Sequence, residues 1–211
     1  MTIRILITDD HAIVRSGLKQ IFQQVADFEV MGEASNGNEL LAFLARSVPD
    51  VLLMDLDMPG VSGSELIERV KASWPGLPIL VLSMHNEPSI AMRALKAGAF
   101  GYITKDCDLD ILLPAIRTVA AGKTYILPGM AEQMVFEDTP ASQSAPHFVL
   151  TDREMQVFTL LVAGSSVNDI ATQLCVSNKT ISTHKAKLMD KLNISSLAEL
   201  VRYAMQRGLV S

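Results

Sequence analysis

Five short apolar segments in the first 125 residues, each followed by a longer amphipathic segment, constrain the fold more than any other feature of this sequence. They lack the alternation of polar and apolar residues that a half-exposed strand shows, which is typical of strands buried on both faces. They are residues 3–8, 30–34, 51–54, 79–82 and 100–103. The segments between them place apolar residues three and four positions apart, as in Leu18, Ile21 and Phe22, which predicts helices with one buried face. This order predicts an α/β domain with a five-stranded, doubly wound parallel sheet.

Polar and charged side chains closely follow four of the five predicted strands. They are Asp9, Asp10, Asp55, Asp57, Ser83 and Lys105. Ligands of a doubly wound sheet bind beyond the carboxyl ends of its strands, so we expect these side chains to lie together. Gathered carboxylates need a cation, and Mg²⁺ prefers oxygen ligands. An aspartate there can also attack phosphorus, while a lysine and a hydroxyl group neutralise charge on the phosphoryl oxygens.

Each of these residues taken alone also has an ordinary structural interpretation. Asp9 or Asp10 could be a helix N-cap. Ser83 could bond the backbone groups of a turn, and Lys105 could be a solvated surface charge. The joint placement of all of them at successive strand ends favours the functional interpretation.

A helical module follows the sheet domain after a segment without periodicity. Residues 129–148 contain no Lys or Arg and no sustained apolar spacing, so we predict a linker there, between domains at 1–128 and 149–211. Four helix candidates follow, which are residues 151–163, 167–174, 178–192 and 195–207. A capping-box pattern, Thr151 with Glu154, opens the first of them. Three residues separate the second and third candidates, which is the tight spacing of a helix-turn-helix.

The third candidate helix, NKTISTHKAKLMDKL, has one apolar and one basic face. At about 100° per residue, Ile181, Leu188 and Leu192 form a stripe that we expect to face the core. The opposite face and its margins carry small, hydroxyl and charged side chains, which are Lys179, Ser182, Thr183, Ala186, Lys187 and Asp190. Such a face can approach the major groove of DNA closely, with hydroxyl groups at base edges and lysines at phosphates.

Charge and composition agree with this division of the chain. The net charge is −5, yet residues 149–211 hold seven basic against five acidic residues, an excess that fits phosphate contacts. Cys107 and Cys175 form neither a disulfide framework nor a CxxC metal site, and the N-terminal MTIRILITDD lacks the apolar stretch of a signal peptide. These two features lead us to expect a cytoplasmic protein. Because no window reaches about 18 apolar residues, we also expect no membrane span.

Four motifs of the sheet domain, ILITDDH, VLLMDLDMPGVSG, ILVLSMH and FGYITKD, resemble the receiver domain of bacterial two-component response regulators. The resemblance covers residues 1–125 and implies the flavodoxin-like (CheY-like) receiver fold. It implies that Asp55 accepts a phosphoryl group from a sensor histidine kinase. It also implies a Mg²⁺ site formed by Asp9, Asp10, Asp55 and Asp57, the last through its backbone carbonyl.

The same resemblance implies the phosphoryl-binding and switch residues. Ser83 and Lys105 would bind phosphoryl oxygens, and Tyr102 would occupy the aromatic switch position. Ser83 stands where this family uses either Thr or Ser. Outside the resemblance, Tyr102 could equally be a core or rim aromatic residue. We do not expect His85 to bind a metal, because no second His or Cys lies near it in the sequence.

The helical module resembles the LuxR-type helix-turn-helix domain across residues 149–204, above all in TDRE and KTISTH. The resemblance implies sequence-specific binding of double-stranded promoter DNA by a dimer, with the third helix as recognition helix. The DNA contacts that it implies are Lys179, Thr180, Ser182, Thr183, Lys185, Ala186, Lys187 and Lys191. Of these, Ser182, Thr183 and Ala186 fall on base-reading positions, while the helical spacing places Lys185 nearer the core.

Joined in this order, the two domains resemble response regulators of the NarL/FixJ class, which are phosphorylation-switched transcription factors. The resemblance implies a sensor histidine kinase, promoter DNA and RNA polymerase as partners. It also implies a homodimer on phosphorylation, for which residues 195–207 are the candidate dimer helix. We therefore expect a regulator and not an enzyme.

Two alternatives stay open at this point. The motif VLLMDLDMPG also resembles the nucleophile motif of haloacid dehalogenase-like phosphatases, although a phosphatase leaves Asp9, Asp10 and the helix-turn-helix unexplained. Hydrolysis of a small phosphate ester in excess of the protein would favour it. The second alternative is a regulator that dimerises and binds DNA regardless of phosphate. Equal DNA affinities with and without phosphorylation would favour this second hypothesis.

Overall fold

Two units make up the chain, residues 1–138 and 139–211. The computed structural model describes residues 2–58, 61, 63–127, 129–131, 150–174 and 176–206. Of the predicted linker, residues 132–148 lie outside the described residues, as does Cys175 in the predicted turn. Residues 129–131 form a helical turn, and Met130 is buried in the core of the first unit.

The first unit contains the predicted parallel sheet. Its strands are β1 (Ile3–Thr8), β2 (Phe28–Ala34), β3 (Val51–Met54), β4 (Ile79–Ser83), β5 (Gly101–Thr104) and β6 (Tyr125–Ile126), in the order β2-β1-β3-β4-β5-β6. All neighbouring strands are parallel. The α/β class and the five predicted strands are confirmed. The sixth strand differs from the prediction, because its two residues are too few to show a periodicity.

Helices cover both faces of the sheet, as a doubly wound fold requires. They are α1 (Ala12–Gln23), α2 (Gly37–Leu44), α3 (Gly63–Ser73), α4 (Pro88–Lys96) and α5 (Leu109–Ala120). Buried side chains of α2, α3 and α4 share one apolar cluster with Leu6 of β1. Those of α1 and α5 share a second cluster with Ile5 and Ile7 on the opposite face. Burial of the strands on both sides explains why their sequences are continuously apolar.

The second unit is helical. Its helices are α6 (Asp152–Val162), α7 (Val167–Gln173), α8 (Asn178–Leu192) and α9 (Leu197–Gln206). The predicted capping box is present, since Thr151 accepts a hydrogen bond from the Glu154 backbone N–H and the Glu154 side chain accepts one from the Thr151 N–H. Helix α9 begins two residues later than predicted, because the hydroxyl of Ser196 caps it by accepting a hydrogen bond from Glu199 N.

The core of the second unit contains the apolar stripe predicted for the third helix. Ile181, Leu188 and Leu192 of α8 are buried, and they pack with Phe158 of α6 and Leu200 of α9. This packing leaves the opposite face of α8 exposed. In the part of the chain that the structure describes, no helix is both long and apolar enough to cross a membrane.

Candidate functional site

The backbone places the predicted site residues at the carboxyl edge of the sheet. Hydrogen bonds continue one residue beyond the strands, from Asp9 N to Ala34 O (3.1 Å), from Asp55 N to Thr8 O (2.8 Å) and from Lys105 N to Ser83 O (2.8 Å). Asp9, Asp55 and Lys105 are therefore held by neighbouring strands, although they are far apart in the sequence. This edge is where an open α/β sheet binds its ligands.

Lys105 forms ion pairs with two buried aspartates. Its Nζ lies 2.7 Å from Asp9 Oδ2 and 2.9 Å from Asp55 Oδ2, and all three side chains are nearly inaccessible. Asp55 Oδ1 has no hydrogen-bond partner among the residues that the structure describes. A buried carboxylate oxygen without a partner is costly unless the site binds something, so this oxygen points to a ligand.

Burial and charge shift the pKa values of this pair. Burial raises the pKa of Asp55 to about 6, against the opposing effect of Lys105. Burial by itself would lower the pKa of Lys105, but the carboxylates of Asp55 and Asp9 outweigh it and the pKa is raised. At neutral pH most Asp55 side chains are therefore ionised and face a charged lysine.

Four residues at this edge could hold a metal ion. Asp9, Asp10, His11 and Asp55 each offer a ligand atom, and these atoms lie within 4.8 Å of one another. Three carboxylates, one of them with a buried oxygen that no described residue hydrogen-bonds, are the oxygen donors that Mg²⁺ prefers. The Asp57 carboxylate does not belong to this group and lies 3.0 Å from His85 Nε2. Its predicted contribution concerns the backbone carbonyl only.

Sequence reasoning missed two residues beside this cluster. His11 directly follows Asp9 and Asp10 in the motif ILITDDH, so its position in the sequence was a sufficient signal. Arg15 lies one turn further along α1, and its Nη1 donates a hydrogen bond of 2.6 Å to Asp9 O. Its Nε also lies 3.4 Å from Glu33, so Arg15 fixes the backbone of Asp9 against β2.

Ser83 and Tyr102 meet at the backbone of His85. The buried Ser83 Oγ accepts a hydrogen bond from His85 N (3.2 Å), and the Tyr102 hydroxyl donates one to His85 O (2.9 Å). Tyr102 is fully buried. The hydrogen bond with Asp57 raises the pKa of His85, and burial opposes it. The loop after β4 is thus connected to both predicted switch residues and to Asp57.

The outward face of α8 carries most of the predicted DNA contacts. The exposed members of that set are Lys179, Ser182, Thr183, Ala186, Lys187 and Lys191. Thr180 and Lys185 are half-buried, and the Thr180 hydroxyl lies 2.8 Å from the hydroxyl of Ser177, which caps the helix. Lys185 therefore lies nearer the core, as the helical spacing predicts.

Lys191 of α8 binds a carboxylate of its own unit. Its Nζ lies 2.6 Å from Oε2 of Glu154, which is buried and also accepts a hydrogen bond from Thr151 N. Burial by itself would raise the pKa of Glu154, but these two contacts outweigh it and the pKa is lowered. Lys191 thus connects the end of α8 to the start of α6.

Comparison with known families assigns both units. The family described as "Response regulator receiver domain" matches residues 5–117. The family described as "Bacterial regulatory proteins, luxR family" matches residues 148–204. The first match includes the acidic edge of the sheet and ends before β6, and the second includes all of α8 with its exposed face.

Similar proteins match this chain over nearly its whole length. Response regulator GacA of Pseudomonas protegens is 36% identical over 99% of this chain and 98% of its own. One similar solved structure is RcsB of Salmonella enterica serovar Typhimurium bound to promoter rprA in the presence of the phosphomimetic BeF3-. Compared with this chain, it has a TM-score of 0.61 at 29% identity, over 96% of this chain and 98% of its own. A structure of two RcsB dimers bound to two parallel DNAs also has a TM-score of 0.61 at 29% identity, over 97% and 98%.

Proposed function

We infer the function of this chain from its family, since it belongs to the response regulators that join a receiver domain to a luxR-family DNA-binding domain. It is a phosphorylation-dependent, DNA-binding regulator of transcription. The observation that carries this function is the buried Asp55, which has one oxygen paired with Lys105 and the other without a hydrogen-bond partner among the described residues. We propose a receiver domain at 1–128, a linker at 129–148 and a DNA-binding domain at 149–211.

Asp55 is the proposed acceptor of the phosphoryl group. A carboxylate oxygen attacks the phosphorus of a phosphohistidine on the sensor histidine kinase, an O–P bond forms, and the N–P bond breaks with its electron pair returning to the donor imidazole. Because the pKa of Asp55 is about 6, the nucleophilic carboxylate is the major form at neutral pH. Lys105 Nζ already lies 2.9 Å from this group, so it can bind a transferred phosphoryl oxygen with little movement.

Mg²⁺ is the proposed cofactor, held by Asp9, Asp10, Asp55 and the backbone carbonyl of Asp57. When bound, it would supply positive charge that stabilises the phosphoryl oxygens. The carboxylates fit this role because one described ammonium group, that of Lys105, faces them. Asp9 shares Lys105 with Asp55, so it also holds the ammonium in place beside the acceptor.

Ser83 and Tyr102 are the proposed switch residues. A phosphoryl group on Asp55 offers the Ser83 hydroxyl a charged acceptor, and charge-assisted hydrogen bonds are about twice as strong as neutral ones. If Ser83 turns toward that group, His85 N loses its bond to Ser83 Oγ and the loop is free to move. Tyr102 follows, because its hydroxyl is bonded to His85 O. Phosphorylation thereby biases a two-state element of the receiver.

The exposed face of α8 is the proposed DNA-reading surface. Ser182, Thr183 and Ala186 are assigned to base edges, and Lys179 and Lys187 to phosphates. We assign Lys191 to the ion pair with Glu154 instead, since that contact occupies its ammonium group. Thr180 and Lys185 stay candidate contacts at the margin of this surface.

A homodimer is the proposed DNA-binding form. RcsB binds DNA as dimers, and α9 of this chain exposes the apolar side chains of Leu197 and Met205. RNA polymerase is the proposed partner at the promoter. A sensor kinase, promoter DNA and RNA polymerase meet in the cytoplasm, which is the proposed location.

The test measures intact mass and DNA affinity after incubation with acetyl phosphate and Mg²⁺. Wild type gains one phosphoryl group, whereas Asp55→Asn and chelator-treated wild type gain none. Asp106→Asn is the matched control, because Asp106 is an exposed carboxylate beside Lys105 and outside the cluster. Phosphorylation raises the affinity for a selected DNA site by about 5–150-fold, the usual range of coupling between two sites.

Two results would overturn parts of this proposal. An adduct that persists in Asp55→Asn would exclude Asp55 as the acceptor. Equal DNA affinities of phosphorylated wild type and Asp55→Asn would show a regulator that is indifferent to phosphate.

A further inference from the structure

His11 lies against the acidic cluster on the solvent side, where the proposed function gives it no role. Its Nδ1 is 2.8 Å from Asp10 Oδ1 and 3.2 Å from Asp9 Oδ1. The ring is 61% exposed, so the packing of the core does not determine its position. The backbone N–H of His11 also donates to Asp9 Oδ1 at 2.8 Å, which fixes the residue beside the cluster.

The spacing of these atoms matches the coordination shell of a small dication. In an octahedral site with bonds of about 2.1 Å, adjacent ligand atoms are about 3.0 Å apart and opposite ones about 4.2 Å. The two distances from His11 Nδ1, 2.8 and 3.2 Å, lie on either side of the adjacent spacing. The four ligand atoms lie within 4.8 Å of one another. Shifts of a few tenths of an ångström would bring the most distant pair to the spacing of opposite ligands.

The arrangement of charge leaves room for a cation beside His11. Lys105 pairs with the Oδ2 atoms of both Asp9 and Asp55, while His11 contacts Oδ1 of Asp9 and of Asp10. Asp55 Oδ1 is buried and has no hydrogen-bond partner in the described part of the chain, which independently points to a ligand. Three carboxylates against one lysine leave this side negative.

We propose that His11 Nδ1 is a nitrogen ligand of the ion at this site, so that the site binds first-row transition-metal dications such as Mn²⁺ and Co²⁺ more tightly than Mg²⁺. The proposal rests on the proposed function, because the carboxylate ligands are the same. Imidazole suits transition metals, whereas Mg²⁺ prefers oxygen ligands and gives up water reluctantly. His11 therefore determines which dication occupies the receiver, without changing the phosphoryl acceptor.

The test combines affinity with a spectroscopic signature of nitrogen ligation. Calorimetry of the full chain at about pH 8, where protons compete little with the metal, gives the affinities for Mg²⁺, Mn²⁺ and Co²⁺. Electron spin-echo modulation of the Mn²⁺ complex detects a directly bound ¹⁴N. The variants are His11→Asn, His11→Gln and His85→Asn, the last because His85 is the other histidine described at this edge. His184→Asn, in the second unit, controls for adventitious binding.

We expect ¹⁴N modulation in wild type, His85→Asn and His184→Asn, and its loss in both His11 variants. The Co²⁺ affinity of the His11 variants falls about tenfold to a hundredfold, as for loss of other groups at metal sites, while their Mg²⁺ affinity changes less than about twofold. An unchanged circular dichroism spectrum shows that the variants are folded.

Four outcomes would contradict the proposal or its premise. Mn²⁺ binding to wild type without ¹⁴N modulation, or modulation lost in His85→Asn, would overturn the assignment of His11. An equal loss of Mg²⁺ and Co²⁺ affinity in the His11 variants would show a hydrogen bond to Asp10 rather than ligation. Metal affinities unchanged in Asp55→Asn would instead overturn the proposed cofactor site, independently of His11.

Discussion

The ion pair between Lys191 and Glu154 predicts that a lysine of the recognition helix acts on stability and not on DNA affinity. Lys191→Met keeps most of the side-chain volume but removes the ammonium group from the buried carboxylate of Glu154. Among the described residues, that carboxylate then keeps one hydrogen-bond donor, the N–H of Thr151. A hydrogen bond to a charged group contributes about 1.5–3 kcal/mol. Because the Lys191 side chain is 35% exposed, water screens the pair, and we expect a loss of about 1–2 kcal/mol.

Urea unfolding of the full chain, followed by circular dichroism, measures this loss. The only tryptophan of the sequence, Trp74, lies in the first unit, so a transition absent from tryptophan fluorescence belongs to the second unit. With a slope of about 1 kcal/mol per molar urea, as for a small domain, the midpoint of that transition falls by about 1–2 M. Glu154→Gln and the double variant complete a thermodynamic cycle, in which we expect a coupling energy of about 1 kcal/mol.

The pH dependence of the same transition has a definite sign. The pKa of Glu154 is lowered in the folded chain. Its contribution to stability is therefore fully present at a pH above the pKa of an unfolded glutamate, and it is lost as the pH falls through the lower pKa of the folded state. Wild type therefore loses stability in acid over this window, and Glu154→Gln loses less. The double variant would refute the ion pair if its loss of stability equalled the sum of the losses in Lys191→Met and Glu154→Gln within about 0.3 kcal/mol, since independent sites add to that extent.

DNA binding supplies the second half of the prediction. Replacing a lysine that binds phosphate reduces the slope of log affinity against log salt by about one. We expect this reduction for Lys187→Met, which removes an exposed ammonium, and no reduction for Lys191→Met. A reduced slope in Lys191→Met would mean that the lysine leaves Glu154 for a phosphate.

Three further predictions concern the cores and the acceptor. Asp55→Asn stabilises the first unit at neutral pH by up to about 3 kcal/mol, because burial raises the pKa of this acid to about 6. The gain in stability, measured by the fluorescence of Trp74, shrinks as the pH falls from 6 toward the ordinary pKa of an aspartate. A variant less stable than wild type at neutral pH would contradict this. Leu188→Ala lowers the stability of the second unit by about 2–5 kcal/mol, since its side chain is fully buried, and an unchanged urea midpoint by circular dichroism would refute it. Gly101→Ala lowers the stability of the first unit by about 1–3 kcal/mol, because its new Cβ would lie 2.7 Å from Tyr125 O of the adjacent strand. We expect faster hydrogen exchange at Tyr125 N. Unaltered protection of that amide would count against the clash.

The elements that the sequence predicts well are those whose burial is uniform along the chain. All four residues of β3 are buried, and its predicted bounds, residues 51–54, agree with the structure. The capping box at the start of α6 is local, because its two side chains bond each other's backbone three residues apart. Strand β6 has no such pattern, since its two half-buried residues depend on β5 for their pairing.

Contacts between side chains distant in the sequence could not be predicted in this way. Lys191 and Glu154 are 37 positions apart, and neither helical spacing nor charge patterning indicates that they meet. Similarly, the hydroxyl of Tyr102 reaches the backbone of His85 only because β5 lies beside β4. The residues of the acidic edge could be anticipated, because strand ends of a parallel sheet converge, whereas the pairing of Asp57 with His85 depends on the conformation of a loop.

The order of the strands also decides when, during synthesis of the chain, the acceptor becomes competent. The strands made after β2 lie side by side in the order in which the ribosome makes them, with β3 beside β1, then β4, β5 and β6. Asp9 and Asp55 are therefore both synthesised before Lys105, which follows β5. A nascent receiver carries its acids before the ammonium group that pairs with them, so only a chain translated past β5 has the complete site to offer a kinase.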